Sequence, residues 1–251
     1  MNWKSVSNSV IVLLLLLLLF FSCTSKSPQI VVGEEEAISH PFELSVIDTP
    51  SWKKKFHKLQ LVDVQTLDST ILVDLKYSTT DNFTGKILYK ELKEAYLQQF
   101  VAQMLADANR QLKYLHPELR LLIYDAVRPL SVQQEMYDLI KDTPYHRYVA
   151  NPSKTGLHNY AAAVDLTIAD VSGNPLDMGT PFDFFGKAAG IKDEIGLKEQ
   201  GFLTDAQIEN RRLLRQVMIG AGFKPISGEW WHFNACSLRD AKEMYPLIVS
   251  F

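Results

Sequence analysis

The chain has 251 residues, 47% of them hydrophobic, with 12 glycines and 11 prolines, a length and balance that support one substantial core in a single globular domain. Its formal net charge of −3 and its lack of any Lys/Arg block interleaved with aromatics give no positive field for a phosphate backbone, which excludes nucleic acid as an expected partner. No glycine-rich phosphate loop is present.

The first predicted element is a leader. Val10 to Phe21 is an unbroken apolar run, preceded by Lys4 and followed by Ser22-Cys23. It is shorter than the about 20 residues a spanning helix needs and fits the apolar region of a secretory signal. Phe20-Phe21-Ser22-Cys23 also resembles a bacterial lipobox, whose cysteine becomes the lipidated first residue of the mature protein, although two phenylalanines replace the usual leucine and small residue. Residues 1–23 are thus expected to be a signal peptide with a lipobox. The protein is expected to be exported to the periplasm or cell envelope and attached to a membrane through a lipid on Cys23. Residues 24–51 mix Ser, Pro and the run Glu34-Glu35-Glu36 without periodicity and read as a tether. The folded domain is expected over 52–251. Cys236 then has no disulfide partner and is expected to be a buried small hydrophobe.

Within the domain, Ile71 to Tyr77 reads as a strand running into the loop Ser78-Thr79-Thr80-Asp81-Asn82. Glu91 to Lys113 carries Leu92, Ala95, Tyr96, Phe100, Met104, Ala108 and Leu112 at close to helical period and predicts a long helix. Leu119 to Tyr124 reads as a buried strand that stops before Arg128-Pro129, since proline disfavours continuation. Ser131-Val132-Gln133-Gln134 has the capping-box form and predicts a helix to about Lys141, which leaves Arg128 in a strand-to-helix turn.

Ala163 to Ile168 alternates, with Asp165 and Thr167 on one face and Val164, Leu166 and Ile168 on the other, so Asp165 is expected to face a cleft. Thr204-Asp205-Ala206-Gln207 is a second capping box, opening a helix to Ala221 that Gly222 ends. A last strand is expected over Trp230 to Asn234, with one tryptophan in the core and the other on a cleft wall. Helices and strands follow in segregated order, so the fold class is α+β, with a small antiparallel-type central sheet flanked by helices.

Three residues could carry chemistry together. His158, Asp165 and His232 would give a Zn²⁺ ion two imidazoles and one carboxylate, leaving an open coordination position, and Glu229 near the third could move a proton. The residues alone leave the alternative that each is an unrelated core or surface group. His40, His57, His116 and His146 have no matching partner and read as surface residues. Glu229 and His232 are three residues apart and would point to opposite faces of a regular strand, so Glu229 is expected in the turn at Gly228 and not in the ladder.

Gly156-Leu157-His158-Asn159-Tyr160-Ala161-Ala162-Ala163-Val164-Asp165 resembles the His-x₆-Asp zinc motif of the D-alanyl-D-alanine dipeptidases, a family related to zinc D,D-carboxypeptidases. Glu229-Trp230-Trp231-His232 is similar to that family's second motif. Asp74-Leu75-Lys76-Tyr77, Asp81-Asn82-Phe83-Thr84-Gly85, Asp125-Ala126-Val127-Arg128-Pro129 and Asp177 to Asp183 match further segments in family order, covering nearly the whole domain. The resemblance implies that one Zn²⁺ per chain is held by His158, Asp165 and His232, and that Glu229 is the general base for a zinc-bound water. It implies that Arg128 stabilises the tetrahedral intermediate, and that Asp183 and Tyr77 recognise the substrate's free ammonium group.

The expected partner is a small D-amino-acid dipeptide or a peptidoglycan-derived peptide, and the expected role is cell-wall peptide turnover. A D,D-carboxypeptidase or endopeptidase on muropeptides, or a non-catalytic cell-wall peptide-binding lipoprotein, are the alternatives. In one departure, Gly156 stands where several relatives place a serine that contacts the substrate amine. The adjacent Thr155 is the residue that could compensate.

Overall fold

The computed structural model describes residues 50–251; the expected leader and nearly all of the expected tether lie outside them, as does His40. In chain order the elements are α1 (Ser51–Lys58), β1 (Leu61–Asp63), β2 (Leu72–Val73), β3 (Tyr96–Gln98), α2 (Gln99–Leu115), β4 (Leu119–Asp125), α3 (Leu130–Ile140), β5 (Ala163–Asp170), α4 (Glu194–Glu199), α5 (Asp205–Gly220), β6 (Lys224–Ile226), β7 (Glu229–Asn234) and α6 (Leu238–Met244). No helix among the described residues is long and apolar enough to cross a membrane.

Five strands form the main sheet in the order β2-β4-β5-β7-β6, and β1 pairs with β3 in a separate two-stranded sheet. Only β2 and β4 run parallel; the remaining neighbours are antiparallel, in keeping with the expected α+β class. β5 lies at the centre, and its sequence explains why: Ala163, Val164, Leu166, Ile168 and Ala169 are all fully buried, so both of its faces are covered. The register sets Asp165 opposite His232 on β7 and opposite Asp125 on β4. Three polar residues remote in sequence thereby meet at one end of an otherwise apolar sheet.

Three expected elements differ from the structure. The strand predicted over Ile71 to Tyr77 is paired only at Leu72 and Val73, after which Lys76 to Ser78 form a 3₁₀ turn that buries the Tyr77 ring. The long helix predicted from Glu91 begins at Gln99, because Tyr96, Leu97 and Gln98 pair with Asp63, Val62 and Leu61; Phe100, counted on its apolar stripe, is exposed. Tertiary pairing here overrides an apolar spacing that imitates a helix.

The helix predicted to be capped by Ser131 is capped two residues earlier, at Pro129, and starts at Leu130. Its first amides donate to the carbonyls of Ile248 and Val249, so the chain's end does the work expected of the serine hydroxyl. The second capping box forms as read, with the Thr204 hydroxyl and the Gln207 side chain exchanging hydrogen bonds with each other's backbone. Gly222, just past α5, takes the left-handed φ of +97° that a helix stop favours.

Candidate active site

His158 lies in a 3₁₀ turn, Leu157–Tyr160, that leads into β5. Its Nδ1–H donates to the Ala126 carbonyl at 2.7 Å, which leaves Nε2 as a bare acceptor directed into the site. His232 is turned the other way: Nε2–H donates to Asn234 Oδ1 at 2.7 Å, and Nδ1 faces inward. His158 Nε2 and His232 Nδ1 stand 3.3 Å apart, and Asp165 Oδ1 lies 3.3 Å from the first and 2.9 Å from the second. A tetrahedral centre with bonds of about 2.0–2.1 Å spaces its ligand atoms by about 3.3 Å, so the three atoms suit one small divalent cation. Among the described residues they are the cluster of this kind that could hold a metal ion.

The electrostatics demand a positive charge at that point. Burial works against charge on Asp165, yet His158 and His232 outweigh it and hold the carboxyl well below its usual range. Burial likewise disfavours a charged His232, but Asp165 overrides it and pushes the imidazole up to about 9. The outer partners of the two rings, a backbone carbonyl and an asparagine, fix ring orientation in the way ligating histidines require.

Around this centre lies a cavity of about 260 Å³ whose lining includes Tyr77, Arg128, Asp183, Glu229, Trp231 and the three cluster residues. All seven residues singled out from the sequence therefore face one space. Glu229 is the first residue of β7 and pairs with Ile226, which corrects the expectation that it sits in the turn outside the ladder. A register shift between Pro225 and Ile226 accounts for the difference: the irregular pairing lets Glu229 and His232 reach the same cavity despite their odd spacing. Burial raises the Glu229 pKa, partly opposed by His232, so its carboxyl is poised to exchange a proton.

Arg128 is buried and held on three sides. Its Nε and Nη2 donate to Asp125 Oδ2 at 2.8 and 2.6 Å, Nη1 donates to Gln133 Oε1 at 3.1 Å, and Nη2 also reaches Asp165 Oδ2 at 3.3 Å. The tie to Asp125 and the place in the cavity lining coexist: the ion pair fixes a guanidinium that still faces the pocket. Asp183 has φ of +59°, in the left-handed region, and both of its carboxylate oxygens accept from the Tyr77 hydroxyl at 3.1 and 3.0 Å. Burial, then the negative Asp165, pushes its pKa up to about 8.

Several supporting residues carried no sequence signal strong enough to single them out. Asn234 shares a strand face with His232 at a spacing of two, and Asn159 donates from its side chain to the Arg128 carbonyl at 2.8 Å. Gln133 joins Arg128 to the Ala150 carbonyl. An aromatic wall of Phe83, Phe185 and Tyr148 comes from three separate loops, with Phe185 and Tyr148 stacked at 4.7 Å.

Trp230 and Trp231 are both buried. Trp231 faces the cavity, while Trp230 turns away and donates Nε1–H to Thr180 Oγ1 at 2.8 Å. Thr155 does not compensate for Gly156: its hydroxyl is engaged by the Lys154 carbonyl and Tyr160, and it is absent from the lining. Gly156 has extended backbone, and a Cβ there would meet Ala150 Cβ at an ordinary 3.4 Å, so neither strain nor crowding requires a glycine. Cys236 is half-buried and not fully buried as expected, since it follows the end of β7 where the chain leaves the core. His57 and His146 are exposed, and His116 is partly exposed beside Glu118.

Two imidazoles and a carboxylate at metal-ligand spacing, with a half-buried carboxyl of raised pKa and a fixed guanidinium around the same cavity, define a metal-dependent hydrolase on an α+β scaffold. The family model described as D-ala-D-ala dipeptidase matches residues 57–246, and the chain belongs to that family. It is 32% identical over 194 residues to a D-alanyl-D-alanine dipeptidase of Escherichia coli, covering 76% of this chain and 90% of that one. A D-alanyl-D-alanine dipeptidase of Enterococcus faecalis is 31% identical over 181 residues, covering 64% and 84%. Among solved structures, a vancomycin-resistance D,D-pentapeptidase in complex with Zn(II) aligns with a TM-score of 0.32 at 15% identity, over 60% of this chain and 79% of that one.

Proposed function

We propose that the protein is a zinc dipeptidase that hydrolyses D-alanyl-D-alanine or closely similar dipeptides in cell-wall peptide turnover. The observation that carries this reading is the meeting of His158 Nε2, Asp165 and His232 Nδ1 within one ligand set, in a cavity that also holds Glu229 and Asp183. These three residues hold one Zn²⁺. Bound zinc supplies Lewis-acid polarisation of the scissile carbonyl and makes water acidic enough to attack near neutral pH.

The chain's own groups do the rest. Glu229 takes the proton of the attacking water on a carboxylate oxygen and passes it to the leaving amine, a task suited to a carboxyl whose pKa burial has raised. Arg128, immobilised by Asp125 and Gln133, donates to the oxyanion as it develops, and needs no reorganisation to do so. Asp183, oriented by the Tyr77 hydroxyl, accepts the free ammonium group of the substrate. A peptide with a blocked or distant amino terminus would leave this half-buried carboxyl without its partner, which favours dipeptides over longer chains.

The protein also acts outside the cytoplasm, attached through a lipid on Cys23. Support for this comes from the apolar run Val10 to Phe21 and the Phe-Phe-Ser-Cys segment that follows it. Purified zinc-loaded protein assayed on D-Ala-D-Ala and on a pentapeptide ending in D-Ala-D-Ala tests the central assignment. Faster cleavage of the dipeptide is expected. Faster cleavage of the pentapeptide would make the protein a D,D-carboxypeptidase, and stoichiometric peptide binding without turnover or zinc would make it a binding lipoprotein.

A further inference from the structure

A second cavity of about 550 Å³ opens beside the catalytic one and shares Arg147, Tyr148, Ile226 and Glu229 with it. It is lined by neither Tyr77 nor Asp183, nor by any of the three ligand residues. Its place relative to a bound dipeptide follows. The ammonium end of the substrate belongs at Asp183, and Glu229 delivers a proton to the leaving amine. Space reached past Glu229, in a cavity that Asp183 does not line, therefore receives the leaving residue.

Cations outnumber carboxylates in that space. Arg147, Lys187 and Lys192 line it, and none of them is ion-paired with a carboxylate among the described residues. The Arg147 guanidinium lies 5.2 Å from the Tyr148 ring centroid and makes one long hydrogen bond to the Tyr148 hydroxyl at 3.5 Å, while Tyr148 itself is stacked on Phe185. Lys187 donates to the neutral Gln200 Oε1 at 2.6 Å and sits 4.2 Å over the Phe202 ring. Cations nearby are committed differently: Lys198 pairs with Asp205, and Arg215 pairs with Glu194. Of the two carboxylates in the lining, Asp193 is occupied in capping α4, where Oδ1 accepts from Gly196 N–H at 3.0 Å; the other is Glu229. Three cations, none of them paired with a carboxylate among the described residues, thus line one cavity on the leaving side of the scissile bond.

We infer that this cavity is an anion-accepting subsite for the leaving residue, and that the enzyme prefers dipeptides whose second residue carries an acidic side chain beside its α-carboxylate. The inference rests on the dipeptidase reading above. One carboxylate is common to every dipeptide and occupies one cation. A side-chain carboxylate reaches a second, and Arg147, stacked and planar, is the cation best suited to a two-oxygen contact. Because the cations are exposed and screened by salt, the preference is one of tens and not of thousands.

The test compares D-Ala-D-Glu with its neutral isostere D-Ala-D-Gln on the zinc-loaded protein, with D-Ala-D-Ala as reference. We expect kcat/KM for the Glu dipeptide to exceed that for the Gln dipeptide by about tenfold. In the triple variant Arg147→Ala, Lys187→Ala, Lys192→Ala the ratio should fall to near one; all three side chains are on the surface or a cavity wall. Product-inhibition constants of free D-Glu and D-Gln, the leaving residues themselves, read the preference independently of turnover. A ratio of one in the wild-type protein by both measures, or a ratio that survives the triple substitution, would overturn the subsite. Failure to cleave D-Ala-D-Ala itself sinks the dipeptidase reading instead, so the two failures are distinguishable.

Discussion

Asp183 is the residue we propose for the substrate's ammonium group, and its protonation sets how that group would bind. Its carboxyl, raised to about 8 by burial and by Asp165, carries a proton in the empty site below that pH. Accepting an ammonium group means releasing that proton, so substrate affinity should improve as pH rises toward 8. Above that, the dipeptide's own α-amino group, with a pKa of about 7.7–8.0, loses its charge and affinity falls again. Bound zinc offsets part of the Asp165 influence and moves the acid limb to lower pH. Asp183→Asn keeps a residue type that tolerates positive φ, and should raise KM about 10- to 100-fold while flattening the acid limb. Steady-state kinetics from pH 6 to 9 check this; an unchanged KM would remove Asp183 from the ammonium site. Residue types were legible from motifs, but the tautomers of His158 and His232 were not. They depend on the Ala126 carbonyl and on Asn234, partners that only the folded chain brings near.

At the scale of elements, the loop from Asp177 to Gly190 delivers Asp183, and α5 holds that loop in place. Arg211, buried on α5, donates to the carbonyls of Met178 at 2.7 Å, Ala188 at 2.9 Å and Gly190 at 3.4 Å, gripping the loop at both ends. Gln207 and Asn210, from the same helix, donate to the side chain and carbonyl of Asp177. Arg211→Ala orphans three carbonyls and should cost on the order of 3 kcal/mol, measurable as a lowered denaturant midpoint. A loss under about 0.5 kcal/mol would show that the loop is held by other means. α5 itself was legible because Thr204 and Gln207 cap it locally and Gly222 ends it. β3 was not, because Tyr96 to Gln98 owe their strand to pairing with Leu61 to Asp63, a contact no local spacing announces. Glu229 was misplaced for a related reason: the register shift on β6 that turns it toward His232 is a property of two strands together.

Across the whole molecule, the sheet register is what converts scattered motifs into a site. β5 places Asp165 between Asp125 on β4 and His232 on β7, and the 3₁₀ turn before β5 adds His158 from the same segment. The apolar alternation of β5 was readable in its sequence, as was the α+β order of elements. The second cavity was not readable, since its cations come from the loops around Arg147 and Lys187 to Lys192, which meet only through the fold. A zinc centre served by Glu229 is the central proposal for this protein. Its most direct test is to measure zinc content and D-Ala-D-Ala hydrolysis together in the wild-type protein and in Glu229→Ala. We predict about one zinc per chain in both, with turnover in the variant reduced by roughly 10²–10⁴-fold. Near-normal turnover in Glu229→Ala, or a wild-type protein that hydrolyses the dipeptide equally well with its metal removed, would contradict it.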